Sequence, residues 1–276
     1  MPACDTNGKP PLPDLSDQSD SPNPSDGGSS CLTGPFLRWL DFSFDDPALN
    51  LALEEVLLED VERGAPDVLR IWESPSRFVV LGSGQVLAQE VIEENCLRDG
   101  VPVLRRCTAG GCVLQAPGCL NYTLALRYEH FPETRALHSS YCFILGCLRR
   151  ALMPAGLMLV HQGACDLTLG DLKVSGNAQR RKRQALLHHG TLLYKSDTAG
   201  MERYLAEPRE RPDYRGVRSH ATFVGQLPSQ RDELCRILAA AFGRTEPLAQ
   251  PSALELDKCE ELARIKYRTR EWTHRR

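Results

Sequence analysis

The stretch "GDLKVSGNAQRRKRQALLHHGTLLY", Gly170 to Tyr194, sets a lysine among groups able to hold an anion. Gly170-Asp171 reads as a two-residue hairpin turn, for which glycine suits the positive φ. Leu169 then faces Leu172, Thr168 faces Lys173, Leu167 faces Val174 and Asp166 faces Ser175. Side chains alternate across a strand. Leu167, Leu169, Leu172 and Val174 therefore make a core face, and Asp166, Thr168, Lys173 and Ser175 share the other. A carboxylate, two hydroxyls and an ammonium on one face are either a solvated hairpin or an anion site. Lysine is a flexible point charge that suits a carboxylate or a phosphate. Gly176, in "SGNAQ", lets a ligand come close to the backbone.

Upstream, "RRCTAGGCVLQAPGCLNY" places Arg105 and Arg106 at a strand end, ahead of Thr108 and the Gly110-Gly111 pair. Glycine-rich backbone after a strand can present N–H groups to phosphate. The spacing matches neither the P-loop nor the dinucleotide fingerprint, so alone it reads as a turn between strands. Combined with the lysine strand, it composes a site for an anionic acyl-nucleotide. A covalent route would need a thiolate instead. Cys165 lies eight residues before Lys173, and a nearby ammonium favours a thiolate. The hairpin register, however, puts Cys165 on the leucine face, pointing away from Lys173, unless a bend at the strand start, which the preceding Gly163 permits, turns it back. Cys107 and Cys112, beside the glycine loop, are weaker nucleophile candidates.

These groups need a scaffold. The chain has 276 residues, 42% of them hydrophobic, enough for one substantial core. Residues 1–34 are rich in Pro, Ser, Asp and Gly and cannot bury enough apolar surface to order themselves. A disordered tail over 1–34 and one domain over 35–276 are expected, with order beginning near Phe36 in "FLRWLDFSF". "DDPALNLALEEVLLEDVERG" reads as a helix with Pro47 in its first turn, an apolar stripe of Leu49, Ala52, Leu53, Val56 and Leu57, and Gly64 as its stop. Strands follow at "DVLRIWE" and "RFVVLG", a short helix over 89–98, and strands at "VPVLRR", "GCVLQ" and "NYTLALRY". A helix over 137–154, the strand "GLMLVHQ", the hairpin region, and helices near 198–206, 228–242 and 254–265 complete the chain. The expected fold class is α+β: a mixed, largely antiparallel single sheet packed with helices.

Net charge is −3, which gives no overall basic field for nucleic acid. No run reaches the roughly 18 apolar residues of a membrane span, and the N-terminus lacks the layout of a secretion signal. A cytoplasmic protein without nucleic-acid or membrane partners is expected. The eleven cysteines contain no Cys-x-x-Cys, so they read as reduced core thiols rather than a metal site.

"DPALNLALEEVLL", "RRCTAGGCVLQAPGCLNY", "DLTLGDLKVSGNAQRRKRQALLHHGTLLY" and, more loosely, "YRGVRSHATFV" resemble the lipoate–protein ligase and octanoyltransferase superfamily, which includes biotin ligases. The resemblance implies the biotin/lipoate protein ligase catalytic-domain fold. It also implies activation of lipoate or octanoate with ATP and Mg²⁺ to an acyl-adenylate, with no permanently bound cofactor. The acyl group would pass to a lysine of a lipoyl-carrier domain or a glycine cleavage H-type protein. Lys173 would hold the carboxylate and then the mixed anhydride. Arg106, Gly110 and Gly111 would border the lipoyl and phosphate groups, Asp166 would sit close to the adenylate, and Ser175-Gly176 would let the backbone approach. The resemblance leaves two alternatives: a transferase using a Cys165 thioester without ATP, and a non-catalytic lipoyl-adenylate-binding subunit.

Ala109 departs from the family's usual glycine and Gln115 from a frequent histidine, which puts the loop width and any metal or phosphate role at Gln115 in question. "KYRTREWTHRR" resembles the segment where longer ligases pass into an accessory domain, so a stand-alone catalytic domain or a separate partner is expected. Four further features are read from the residues. "RRKR" at 180–183 is a solvated loop or a docking patch for acidic carriers. One of His188 and His189 could line the pocket, "GSGQ" at 82–85 could wall it, and Arg215 and Arg218 belong to the later loop.

Overall fold

The computed structural model describes residues 37–209, 211–242 and 248–276. The expected tail over 1–34 and the expected onset at Phe36 lie outside the described residues. In chain order the elements are β1 (Arg38–Asp41), α1 (Pro47–Glu62), β2 (Val68–Trp72), β3 (Phe78–Leu81), α2 (Leu87–Glu90), α3 (Glu93–Arg98), β4 (Val103–Arg105), β5 (Val113–Gln115) and β6 (Cys119–Arg127). The order continues with α4 (Leu137–Leu152), β7 (Leu159–Gln162), β8 (Asp166–Leu169), β9 (Leu172–Arg181), β10 (Ala185–Leu193), α5 (Thr198–Tyr204), α6 (His220–Phe223), α7 (Arg231–Ala241), α8 (Ala253–Leu262) and α9 (Arg270–Thr273).

The main sheet runs β1-β2-β6-β10-β9-β8-β7, antiparallel throughout except for the β1–β2 pair. The α+β class with a largely antiparallel sheet is as expected, but there are two sheets, not one. The short strands β3, β4 and β5 pair among themselves as β4-β3-β5. That small sheet carries both glycine loops.

Alternation along the central strands builds a core on each face of the main sheet. Leu124, Leu126, Leu186 and Leu192 meet Ile144, Leu148, Leu234 and Leu238 of α4 and α7. Ala125, Ala185 and Leu187 meet α1 and, from the C-terminal region, Cys259, Ala263 and Tyr267. α1 begins where Asp46 accepts the Ala48 N–H at 2.8 Å. It is wider in its burial than one stripe, because Asn50, Glu54, Glu55, Leu51, Leu58 and Val61 are buried as well. Helix is interrupted at Val91, which takes an extended conformation and bridges Leu205, so the helix expected over 89–98 is two short ones. α6 and α9 were not expected.

The hairpin register needs correcting. Leu169 pairs with Leu172 and Thr168 with Lys173 as expected, but the register then shifts, so Leu167 faces Ser175 and Asp166 faces Gly176. A bulge places two residues opposite one and moves everything beyond it by one position. Gly176 therefore takes the place expected for Ser175 on the Lys173 face. Ser175 turns to the other side, fully buried, where its Oγ accepts from Asn177 at 3.2 Å. The leucine face is only partly core, since Leu167 and Val174 are sealed but Leu172 is 42% exposed.

Candidate active site

Lys173 reaches back across the bulge. Its Nζ lies 2.8 Å from Asp166 Oδ1, with Lys173 partly exposed and Asp166 nearly buried. A Cβ on Gly176 would come 3.1 Å from Lys173 Cε and 3.2 Å from its Nζ, so the glycine is what lets the lysine lie over β9. Asp166 Oδ2 accepts from the Tyr214 hydroxyl at 2.6 Å. Burial first, then the Asp166 carboxylate, pushes the Tyr214 phenol far up, keeping it a donor. Sequence reasoning missed Tyr214. "DYRGVR" held the signal, an aromatic with a hydroxyl beside two arginines.

Cys165 sits in the turn between β7 and β8, so strand alternation does not govern it. The expectation that it points away from Lys173 is overturned: its Sγ donates to Asp166 Oδ1 at 4.0 Å, and its thiol feels the charges of both Lys173 and Arg106. Burial, and then the Asp166 charge, nevertheless raise the thiol above its ordinary value. Cys165 is thus beside the lysine but protonated. Cys107 and Cys112 are held up by burial to about 11 and about 12, so neither carries a thiolate near neutrality.

Asn177 fixes this turn from below, donating to the Cys165 carbonyl at 2.8 Å while accepting from the Tyr122 hydroxyl at 2.5 Å. Gly190 on β10 makes the room, because a Cβ there would overlap the Asn177 amide oxygen. His188 is fully buried between Gln179, at 3.0 Å, and Tyr122, at 3.2 Å. Burial, then neighbouring His189, lower it to about 3.

Arg106 is buried and organises the glycine loop from inside. It donates to Thr108 Oγ1 at 2.8 Å, to the Ala109 carbonyl at 2.7 Å and to the Gly111 carbonyl at 2.9 Å. Gly110 has φ +92°, and a Cβ on it would lie 3.0 Å from the Arg106 guanidinium and 3.6 Å from Ala178 of β9. The loop therefore rests on the same strand that carries Lys173. Ala109 is exposed and has no positive φ, so its departure from glycine narrows nothing. Gln115 and Asn121 exchange amide hydrogen bonds at 2.7 and 2.8 Å, so Gln115 is occupied with a structural partner.

A polar chain runs inward from the loop. Thr108 Oγ1 lies 2.7 Å from His189 Nε2, and His189 Nδ1 lies 2.8 Å from Glu54 Oε2. Glu54 Oε1 accepts from Thr123 at 2.6 Å and from Trp72 Nε1 at 3.1 Å. Burial alone would raise the Glu54 carboxyl, but His189, Arg70 and Thr123 together hold it at about 2. Sequence reasoning singled out the two histidines and missed Glu54. Its signal was two carboxylates inside the apolar run "NLALEEVLL", since buried charges must find partners.

Arg105 works as a clamp. It donates to the carbonyls of Gly82 at 2.9 Å and Gln85 at 2.7 Å, and to that of Thr273 at 2.7 Å. The "GSGQ" loop meets the glycine loop directly, because a Cβ on Gly82 would overlap the Gly110 carbonyl oxygen. The "RRKR" run is engaged inward and does not form the expected open patch. Arg180 pairs with Glu55 at 2.6 Å, Lys182 pairs with Glu59, and Arg181 donates to the Thr134 carbonyl at 2.8 Å. Arg183 is the exposed member. Arg215 pairs with Glu207 at 2.8 Å, and Arg218 donates to the Asp171 carbonyl at 2.7 Å. They brace the loop that delivers Tyr214. Among the described residues no cluster of three or more His, Cys, Asp or Glu is placed to hold a metal, and no helix is long and apolar enough to cross a membrane.

Set beside known proteins, residues 46–242 match the lipoyl protein ligase A/B catalytic domain. An Aeropyrum pernix protein bearing the lipoate–protein ligase A name is 28% identical, over 80% of this chain and 86% of its own. Lipoate–protein ligase 1 of Staphylococcus aureus is 27% identical, over 84% of this chain and 71% of its own. Among solved structures, the bipartite lipoate protein ligase of Thermoplasma acidophilum superposes with a TM-score of 0.77 at 22% identity, covering 87% of this chain and 96% of that one. A lipoate-protein ligase A bound with ATP gives 0.75 at 22% identity, covering 87% and 99%. At such identities the superpositions establish the shared fold.

Proposed function

Because the chain belongs to the lipoyl protein ligase A/B catalytic-domain family, we propose that it is a lipoate–protein ligase acting through Lys173. The observation that carries this reading is the Lys173–Asp166 pair, 2.8 Å apart on a hairpin face, while burial and then the Asp166 charge push the adjacent Cys165 thiol up. An ammonium with a replaceable carboxylate partner suits an incoming carboxylate. A protonated thiol does not suit a thioester route.

Two steps follow. A carboxylate oxygen of lipoate, or octanoate, attacks the α-phosphorus of ATP, brought as its Mg²⁺ complex. The bond from that phosphorus to the bridging oxygen breaks, and pyrophosphate leaves. A neutral carrier lysine then attacks the acyl carbonyl, the bond to AMP breaks, and the amine's proton passes to solvent. Negative charge grows on carbonyl and phosphate oxygens in both transition states. An ammonium fixed at the anhydride stabilises that charge selectively. Arg106 keeps Gly110 and Gly111 in place to border the acyl and phosphate groups, and Asp166 lies towards the adenylate. The carrier is a lipoyl domain, with an H-type protein as a further acceptor, and the setting is cytoplasmic.

The test is incubation of purified protein with ATP, Mg²⁺, lipoate and an apo lipoyl domain. Acyl-adenylate and a lipoylated lysine are expected, and the rate of forming both should fall by roughly 10² to 10³ in Lys173→Ala. ATP-independent transfer from an octanoyl carrier, abolished in Cys165→Ser, would replace this reading with the transferase. Adenylate binding without turnover would replace it with a binding subunit.

A further inference from the structure

Thr168 stands in the middle of the Lys173 face with an unused hydroxyl. It pairs with Val160 on β7 and with Lys173 on β9, and it is two residues from Asp166, hence on the same side of β8. The residue is 1% exposed, and its Oγ1 makes no hydrogen bond. Asp166 takes Lys173 and Tyr214, and Arg218 takes the Asp171 carbonyl. The backbone of Val224 and Gly225 runs alongside Lys173, with the Gly225 N–H on the Lys173 carbonyl at 2.9 Å. A valine of nearly the same shape would fill the position without leaving a polar group unsatisfied. The hydroxyl is therefore explained by a state in which it has a partner.

We propose that Thr168 is a nucleotide contact, donating to the phosphate oxygen that Lys173 holds. The inference rests on the ligase reading above. Thr168 is the cross-strand partner of Lys173, the residue assigned above to the carbonyl and phosphate oxygens of the anhydride, so its hydroxyl is placed at that part of the ligand. The glycine loop touches β9 at Ala178, whereas Thr168 faces Lys173 at the opposite end of that stretch, next to Asp166 and the turn at Gly170-Asp171. The contacts that close this end, the Tyr214 hydroxyl on Asp166 and the Arg218 guanidinium on a backbone carbonyl, are donors that an entering phosphate can take over.

The experiment titrates ATP with Mg²⁺, and separately lipoate, into the wild-type protein, Thr168→Val and Thr168→Ser by calorimetry, with KM values and melting curves for each. Thr168→Val should weaken ATP binding, and raise the KM for ATP, by roughly tenfold, the loss expected for one hydrogen bond to a charged group. Lipoate binding should stay unchanged and the ligand-free melting temperature should not fall. Thr168→Ser should bind ATP like wild type. Unchanged ATP binding in Thr168→Val, an equal loss for lipoate, or loss of a cooperative melt in that variant would each overturn the assignment. Wild-type protein that binds no ATP would overturn the ligase reading itself, so the two failures are told apart.

Discussion

At the scale of single residues, burial decides which groups stay charged and which stay neutral, and this gives the protein a readable acid response. His188 is sealed as the neutral imidazole, held down to about 3, whereas an unfolded histidine titrates near 6.5. Between those values the unfolded chain binds a proton that the folded one does not, so stability falls as pH drops below about 6.5. Each pH unit costs about 1.4 kcal/mol for one such group. Burial also lowers His161 and His220, which add in the same direction. Glu54, held at about 2, enters later: its contribution is complete above about 4.5 and disappears as pH falls towards 2. Urea midpoints from pH 7 to 5 should therefore decline in wild type and decline less steeply in His188→Gln, with Glu54→Gln changing the slope only below about pH 4.5. Lys173→Ala should lower turnover by roughly 10² to 10³, the usual cost of losing one preorganised charge at a transition state, and should lower the urea midpoint, because nearly buried Asp166 loses its ammonium partner, while unfolding stays cooperative. Residues such as Lys173, Asp166 and Gly176 could be read from the chain because one hairpin brings them together. Tyr214 and Glu54 left only a local hint, because they arrive from distant segments and only tertiary packing turns their side chains towards Asp166 on β8 and His189 on β10.

At the scale of elements, two glycines do different work on neighbouring strands. Gly176 leaves space for the Lys173 stem, so Gly176→Ala pushes on Cε and Nζ at 3.1 and 3.2 Å. The far end of a lysine yields cheaply, and the predicted result is a loss of turnover of roughly tenfold to 10²-fold from misplacement of the ammonium, with little change in melting temperature. Gly190→Ala is the opposite case. Its Cβ overlaps the Asn177 amide, which is locked to Tyr122 and the Cys165 carbonyl. Such overpacking costs about 1–3 kcal/mol, so denaturant unfolding should show the loss directly. Helix and strand positions followed from periodicity and stop signals, and most were legible to within a few residues. The bulge in β9 was not, because nothing local distinguishes Val174-Ser175 from an ordinary strand pair, and a one-residue shift moved Ser175 off the Lys173 face. The burial of α1 on nearly every side also escaped the reading, since one stripe accounts for a helix against one layer and this helix lies between the main sheet and α8.

For the whole molecule, the C-terminal stretch is the part whose role changes most between sequence and structure. "KYRTREWTHRR" looks like a polar passage out of a catalytic domain, and the family match stops at residue 242. In the fold, Cys259, Ala263 and Tyr267 are core residues packed with α1. The Tyr267 hydroxyl and Lys266 both bond the buried Glu55, each at 2.6 Å, and Glu255 pairs with Arg38 at 2.6 Å. Arg105 reaches the Thr273 carbonyl while holding the "GSGQ" loop, so the last helix is tied to the loop that abuts Gly110. Deleting residues 251–276 would uncover part of α1, leave Glu55 with fewer partners and remove half of the Arg105 clamp. Each large apolar side chain lost from a core costs about 1.5–3 kcal/mol, and Glu55, which keeps Arg180, still loses hydrogen bonds from Lys266 and Tyr267 at about 1.5–3 kcal/mol each for bonds to a charged group. Together these exceed the stability of an ordinary domain at its lower bound of about 5 kcal/mol. The truncated chain should therefore lack a cooperative thermal transition. A milder variant, Tyr267→Phe, keeps the ring and removes only the hydroxyl bond to Glu55, so it should melt cooperatively at a lower temperature and retain turnover. A truncation that melts like the full chain would mean that residues 251–276 merely cover α1, and that the 35–276 unit is smaller than proposed.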